Sequence, residues 1–294
     1  VRGVIDIGSN SVLLLVGRRR EDGSLEIVRD EATVARVAEG AAKRGTLLPE
    51  AIERTLAVLR RYAQIAAADG VASIEAVATE GLRMAANAGD FLEPASEILG
   101  TSVRLISGDE EARLSYRSVA LEHLDLDHLR VLDIGGASTE LVVGRGLEIE
   151  QAHSHRLGSV RLSEALSDGH PPSEAALERM YTHAREVLAA QPLAPYPVLH
   201  GLAGTVTTTA GVLKGLPRYD RDAIDHTRIE LEALWELRSR LAKLSLPELQ
   251  AIPLVGKGRA DVIVAGVTIL LASLDHCGAK TLVVRDRGLR YALL

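Results

Sequence analysis

Along the chain, short apolar runs alternate with longer amphipathic stretches, the pattern of an α/β protein with mostly buried sheets. Residues 4–7 and 12–16 are apolar runs joined by Gly8-Ser9-Asn10-Ser11, which predicts a tight β-hairpin. The same design returns in residues 131–134, Gly135-Gly136-Ala137-Ser138 and residues 139–143, with Asp133 standing 127 positions after Asp6. Asp, Ile, Gly and Ser coincide in the two copies. Two hairpins of one design, so far apart, predict two lobes descended from one unit, with a cleft between them.

Residues 50–68 place Ile52, Leu56, Leu59 and Ile65 at helical spacing, and 74–78 and 103–106 read as strands. Ser107 and Glu110 have the spacing of a capping box, so a helix should open there and run to about residue 120. Further on, helices are predicted over 173–189 and 230–244, and a strand over 195–202 opens into Ala203-Gly204-Thr205. One long apolar helix over 259–274, a buried strand over 281–285 and a short terminal helix complete the pattern. The unpatterned stretch 121–130 is the expected crossing. The first lobe then spans 1–120, with the terminal helix at about 287–294 available to complete it, and the second spans 121–286.

The 294 residues are 47% apolar and 25% charged, as in ordinary globular proteins, and the length suits two domains. The single cysteine, Cys277, excludes a disulfide scaffold and fits a reducing, cytoplasmic setting. The longest apolar run, 262–274, falls short of the roughly 20 residues a membrane-spanning helix requires. No secretory signal pattern opens the chain, so no membrane partner is expected. A net charge of −6 with one Trp, one Phe and six Tyr argues against nucleic acid as a partner. A homodimer is the common arrangement among soluble oligomers and is the expectation here.

Dinucleotide, Walker A, nucleophile-elbow and zinc-helix motifs are all absent. His153 and His155 have a ligand spacing, yet with no third ligand nearby they read as solvated loop side chains. The paired turns offer backbone N–H groups and hydroxyls to a phosphate. Asp6 and Asp133 end apolar strands, where a carboxylate is costly unless partnered, and two such groups facing a cleft suit Mg²⁺. On the helix from residue 107, Glu110 meets Arg113, while Glu111 has no cation within helical reach. Such a carboxylate tends toward the raised pKa of a general base; complementing the positive end of the helix, with Asp109 and Glu110, is the equal alternative. Arg83 is placed either to clamp phosphate oxygens or to pair with Glu80 or Asp90. Gly204 and Thr205 lie at a strand-to-helix junction, an anion-binding position or a plain cap.

Together these segments resemble the exopolyphosphatase / guanosine pentaphosphate phosphohydrolase (Ppx/GppA) family of the actin, sugar-kinase and heat-shock ATPase superfamily. The likeness runs in order through 6–11, 78–87, 107–113, 133–140, 157–162, 201–208 and 284–290, and the Ser107-to-Arg113 segment separates this family from the kinases. The resemblance implies two similar actin-like (ribonuclease H-like) α/β lobes with a central cleft. It implies that Glu111 activates water, that Asp6 and Asp133 hold Mg²⁺ or Mn²⁺, and that Arg83 and Glu140 assist. Gly8, Ser9, Asn10, Ser11, Gly135, Gly136, Ser138 and Thr139, with Gly204 and Thr205, would bind the phosphate chain. The implied activity removes terminal phosphate from inorganic polyphosphate. Guanosine pentaphosphate is the alternative substrate; a sugar kinase and a non-catalytic nucleotide sensor are remoter ones. Two departures stand out. Ala137 replaces the usual third glycine of the second loop, at a cost if its φ is positive. The helical C-terminal domains of longer members do not follow residue 294, which suggests short polyphosphate chains as substrate.

Overall fold

The computed structural model describes the backbone of all 294 residues and every side chain except that of Ala42. Two compact units emerge, residues 1–114 with 289–294, and residues 115–288. In the first, β1 (Arg2–Ile7), β2 (Ser11–Arg19) and β3 (Leu25–Val34) form an antiparallel meander. Strands β4 (Ser73–Ala78) and β5 (Val103–Leu105) extend it in parallel, giving the order β3-β2-β1-β4-β5. Helix Pro49–Ala68 turns Leu56, Leu59 and Tyr62 onto Ile5, Ile7 and Leu14, and helix Gly89–Leu99 adds Phe91 and Ala95 to the same core.

The second unit repeats this plan. Its strands β6 (Leu129–Ile134), β7 (Thr139–Arg145) and β8 (Glu148–His155) form the meander. Strands β9 (Val198–Leu202), β10 (Arg228–Glu230) and β11 (Thr281–Val284) follow, in the order β10-β11-β9-β6-β7-β8. Counted from β8, the strand pattern is that of the first unit with β10 added antiparallel at the far edge. Both units thus carry the actin-like α/β topology. The core gathers Leu132, Leu141 and Leu199 under helices Glu174–Leu188, Ala203–Leu213 and Ile263–Cys277.

The repeat extends beyond the hairpin turns. A register shift falls between Val16 and Gly17 where β2 meets β3, and between Val143 and Gly144 where β7 meets β8. Gly144 again stands 127 positions after Gly17. A Cβ at Gly17 would lie 2.5 Å from the Glu26 carbonyl oxygen, and one at Gly144 would lie 2.2 Å from that of Glu148. Each bulge presses a neighbouring carbonyl onto the Cα, so a side chain does not fit there.

Several expectations change. Strands β3 and β8 lie where no strand was expected, so His153 and His155 are strand residues and not loop residues. The helix expected over 259–274 is broken into Gly256–Arg259 and Ile263–Cys277, and the Ser163 hydroxyl takes the Asp261 carbonyl at the break. Helix Gly108–Ala120 opens with the Glu110 amide on Ser107 Oγ at 3.1 Å. The Glu110 carboxylate, however, pairs with Arg104 on β5 and not with Arg113. The compact units divide between Leu114 and Ser115, within this helix. A boundary crossed by an unbroken helix leaves no composition shift to read.

Candidate phosphate and metal site

The two glycine-serine turns have the same internal geometry. Gly8 N–H donates to the Ser11 carbonyl at 2.9 Å, and Gly135 N–H to that of Ser138 at 3.0 Å. Both turns are braced through their carbonyls. In the first unit, the Asn10 carbonyl accepts from Ala35 and Arg36 and the Ser9 carbonyl from Ala38. In the second, the Gly136 carbonyl accepts from Val160 and Arg161, Gly135 from Ser159, and Ala137 from Arg161 Nε at 2.8 Å. Gly158 packs onto this turn so closely that a Cβ there would lie 2.3 Å from Gly136 O and 2.4 Å from Ala137 N. With these carbonyls and the Gly8 and Gly135 amides engaged, the amides of Ser9, Asn10, Gly136 and Ala137 are the groups of the polarity an anion needs. Asn10 adds a buried side-chain oxygen that has no hydrogen-bond partner among the described residues. Ala137 is not in the left-handed region, so replacing the family glycine costs no strain here.

Two acidic residues stand opposite each other beside the second turn. Asp133 on β6 is paired directly with Glu140 on β7, and Glu140 is only 1% exposed. Opposed residues of an antiparallel pair share a sheet face, where like charges destabilise each other unless a cation or proton intervenes. A serine hydroxyl holds each group: Ser115 Oγ donates to Asp133 Oδ2 at 2.6 Å, and Ser154 Oγ to Glu140 Oε1 at 2.7 Å. In the first unit the partner of Asp6 is Leu13, so the second carboxylate belongs to one copy of the repeat alone. Among the described residues, no group of three or more His, Cys, Asp or Glu gathers into a closed metal cage. One or two carboxylates with open positions fit Mg²⁺ or Mn²⁺, which keep waters and take substrate phosphates, and do not fit structural zinc.

Glu111 is 8% exposed near the start of helix Gly108–Ala120. The cation absent from its own helix comes from elsewhere: Arg83 Nη1, in helix Glu80–Arg83, lies 3.4 Å from Glu111 Oε2. Arg83 also grips Glu80 through Nε at 3.0 Å and through Nη2, and donates to the Ile106 carbonyl. Of the two readings of Arg83, the pairing with Glu80 is the one seen. Four of its five N–H groups are engaged.

The profile of the Ppx/GppA phosphatase family matches residues 16–294. The chain belongs to this family. A solved Aquifex aeolicus Ppx/GppA family member is 30% identical, with 99% of this chain and 95% of that chain covered and a TM-score of 0.82. An exopolyphosphatase-like protein is 26% identical over 99% and 95% of the two chains, with a TM-score of 0.92. An exopolyphosphatase from Cytophaga hutchinsonii has the same fold, at 24% identity, 99% and 95% coverage and a TM-score of 0.89.

In this Ppx/GppA phosphatase, Gly204 and Thr205 open helix Ala203–Leu213 as expected, directly after Ala203, whose φ of 66° costs about 1–2 kcal/mol. Sequence reasoning missed Arg259. Its guanidinium lies over Gly204, where a Cβ would come within 2.0 Å of it, and burial lowers its pKa. Its carbonyl accepts from Val262 N–H at 3.0 Å, and Tyr219 acts on its guanidinium electrostatically, so the charge sits at that helix start. Gly158 and Arg161, which brace the second turn, were also missed as single residues, although they lie in the segment 157–162 that carried the resemblance. His155 is buried on Gln191, 3.2 Å away, and burial lowers its pKa; it is not solvated. The buried Cys277 thiol is pushed up to about 11 and is no nucleophile. Among the described residues no helix is long and apolar enough to cross a membrane.

Proposed function

We propose that this phosphatase is an exopolyphosphatase, releasing terminal phosphate from inorganic polyphosphate by attack of water activated by Glu111. The observation that carries this reading is the Asp133–Glu140 pair beside the turn Gly135–Ser138. Two opposed carboxylates call for a cation, and a turn presenting its amides calls for an anion. A metal-bound polyphosphate end supplies both at once. When bound, Mg²⁺ would neutralise charge on the phosphate oxygens, with Asp6 and Asp133 as its carboxylates and Glu140 close by.

The chain's own residues do the rest. Glu111 takes a proton from water as its oxygen bonds to the terminal phosphorus. The bridging P–O bond breaks, orthophosphate leaves, and the polymer is shortened by one unit. Ser9, Asn10, Ser11, Gly136 and Ser138 offer donors to phosphate oxygens, with Gly8 and Gly135 closing the turns through their own N–H groups and the Thr139 hydroxyl held by the Leu157 carbonyl; the remaining N–H of Arg83 adds a donor. Gly204 and Thr205, with Arg259, suit a more distant phosphate of the chain.

The test is phosphate release with Mg²⁺ from short polyphosphate, long polyphosphate and guanosine pentaphosphate, for wild type and Glu111→Gln. The variant should lose about 10²- to 10⁴-fold in kcat while still binding substrate. Equal rates would remove Glu111 as the base. Turnover of the nucleotide alone would replace the polymer as substrate, and turnover of none would end the enzymatic reading.

A further inference from the structure

Hydroxyls in the helices of this protein mostly turn back on their own backbone. Thr55, Ser96, Thr209, Thr268 and Ser273 each donate to the carbonyl four residues earlier, at 2.7 or 2.8 Å. Ser115, fully buried in helix Gly108–Ala120, does not; its hydroxyl leaves the helix and donates to Asp133 Oδ2 at the end of β6. A hydroxyl bound to one carboxylate oxygen fixes the rotation of the group and hence the direction of the other oxygen. That carboxylate stands opposite Glu140, itself held by Ser154 across the β7–β8 pair.

We propose that Ser115 is a positioning residue for the divalent cation, orienting Asp133 through the Oγ–Oδ2 hydrogen bond. The proposal rests on the assignment of Asp133 as a metal-binding carboxylate. Without the Ser115 hydroxyl the rotation of the Asp133 carboxylate is less restricted, and a cation would have to fix it at its own cost. With Ser115 in place the alignment exists before the cation arrives. Removing a partner that orients a metal-binding group typically weakens metal binding 10- to 100-fold. A purely structural Ser115, docking the helix on β6, would instead affect melting and leave ion affinity alone.

The experiment titrates Mn²⁺ into the metal-free protein and follows the free ion by electron paramagnetic resonance. Wild type, Ser115→Ala, Ser115→Thr and Asp133→Asn are compared, with thermal melting of each. Ser115→Ala should weaken Mn²⁺ binding about 10-fold or more. Ser115→Thr, which keeps the hydroxyl, should restore most of that loss. Asp133→Asn should weaken binding at least as much. If Ser115→Ala melts as a folded protein and binds Mn²⁺ as tightly as wild type while Asp133→Asn does not, the role of Ser115 is overturned. If Asp133→Asn also binds like wild type, the metal assignment beneath it fails instead. Should Ser115→Thr melt too low to use, Ser115→Ala alone decides between these outcomes.

Discussion

Substituting Gly158 by alanine should damage the second phosphate turn without removing a single polar group. The backbone of Gly158 is extended, with φ −143° and ψ 161°, so alanine meets no conformational penalty there. The whole effect is contact. The new Cβ would stand 2.3 Å from Gly136 O and 2.4 Å from Ala137 N, whereas ordinary contact begins at 3.4 Å. The obstructing atoms are backbone, so about 1 Å of movement must be taken up by the turn itself or by residues 157–161. Forcing a methyl into such packing costs about 1–3 kcal/mol. For a unit of this size that is a fall of roughly 2–12 °C in melting temperature. A 1 Å misplacement of groups that position a substrate costs about 10²-fold in rate. Thermal melting and kcat/KM for phosphate release should therefore both fall. Gly169→Ala is the control, since a Cβ there meets only Pro171 O, at 3.5 Å. If Gly158→Ala melts within about 1 °C of wild type and keeps kcat/KM within about two-fold, the turn is not held by this contact and the bracing argument is wrong.

Two further outcomes follow from buried charges. Burial pushes the His200 imidazole down to about 4 from 6.5, so between those values the unfolded chain binds a proton that the folded protein refuses. Stability should then be full above pH 6.5, fall as pH drops toward 4, and lose on the order of 3 kcal/mol across that window. Denaturant melts of wild type and His200→Gln should converge toward pH 4; parallel curves would refute it. Asp30→Ala should cost about 3 kcal/mol, because Asp30 receives two Arg290 Nη2 contacts at 2.9 and 3.1 Å and the Tyr291 hydroxyl at 2.5 Å. Limited proteolysis should then reach the helix Leu289–Leu293 first, and a loss below about 0.5 kcal/mol would show the pair to be idle.

The hairpins, most helices and the turn residues were legible because each obeys a local rule: apolar periodicity, glycine-serine turns, an N-terminal serine. The edge strands β3 and β8 were not. Leu25–Val34 and Glu148–His155 bury little of either face, so their sequences carry many charges and no apolar alternation. Of the site, Asp6, Asp133 and Glu111 were readable as carboxylates at costly positions. The partners that set their behaviour were not, because Arg83 on Glu111 and Ser115 on Asp133 are contacts between different elements. Glycines gave a missed signal. Gly17 and Gly144 keep the spacing of the two turns, so extending the repeat would have marked both bulges and, with them, the third strands.

The terminal helix Leu289–Leu293 sets an order on biosynthesis. Tyr291 and Leu294 bury against Val4 and Leu15, and Leu289 against Val77 and Ile106, so the unit begun first lacks part of its core until residues 289–294 are made. The second unit is complete once Gly288 has emerged, while the first still waits for six residues. On the ribosome, where domains usually fold from the N-terminus onward, the earlier-made unit must stay open while the later one closes. A chain cut after Gly288 should thus hold a folded second unit and an unfinished first.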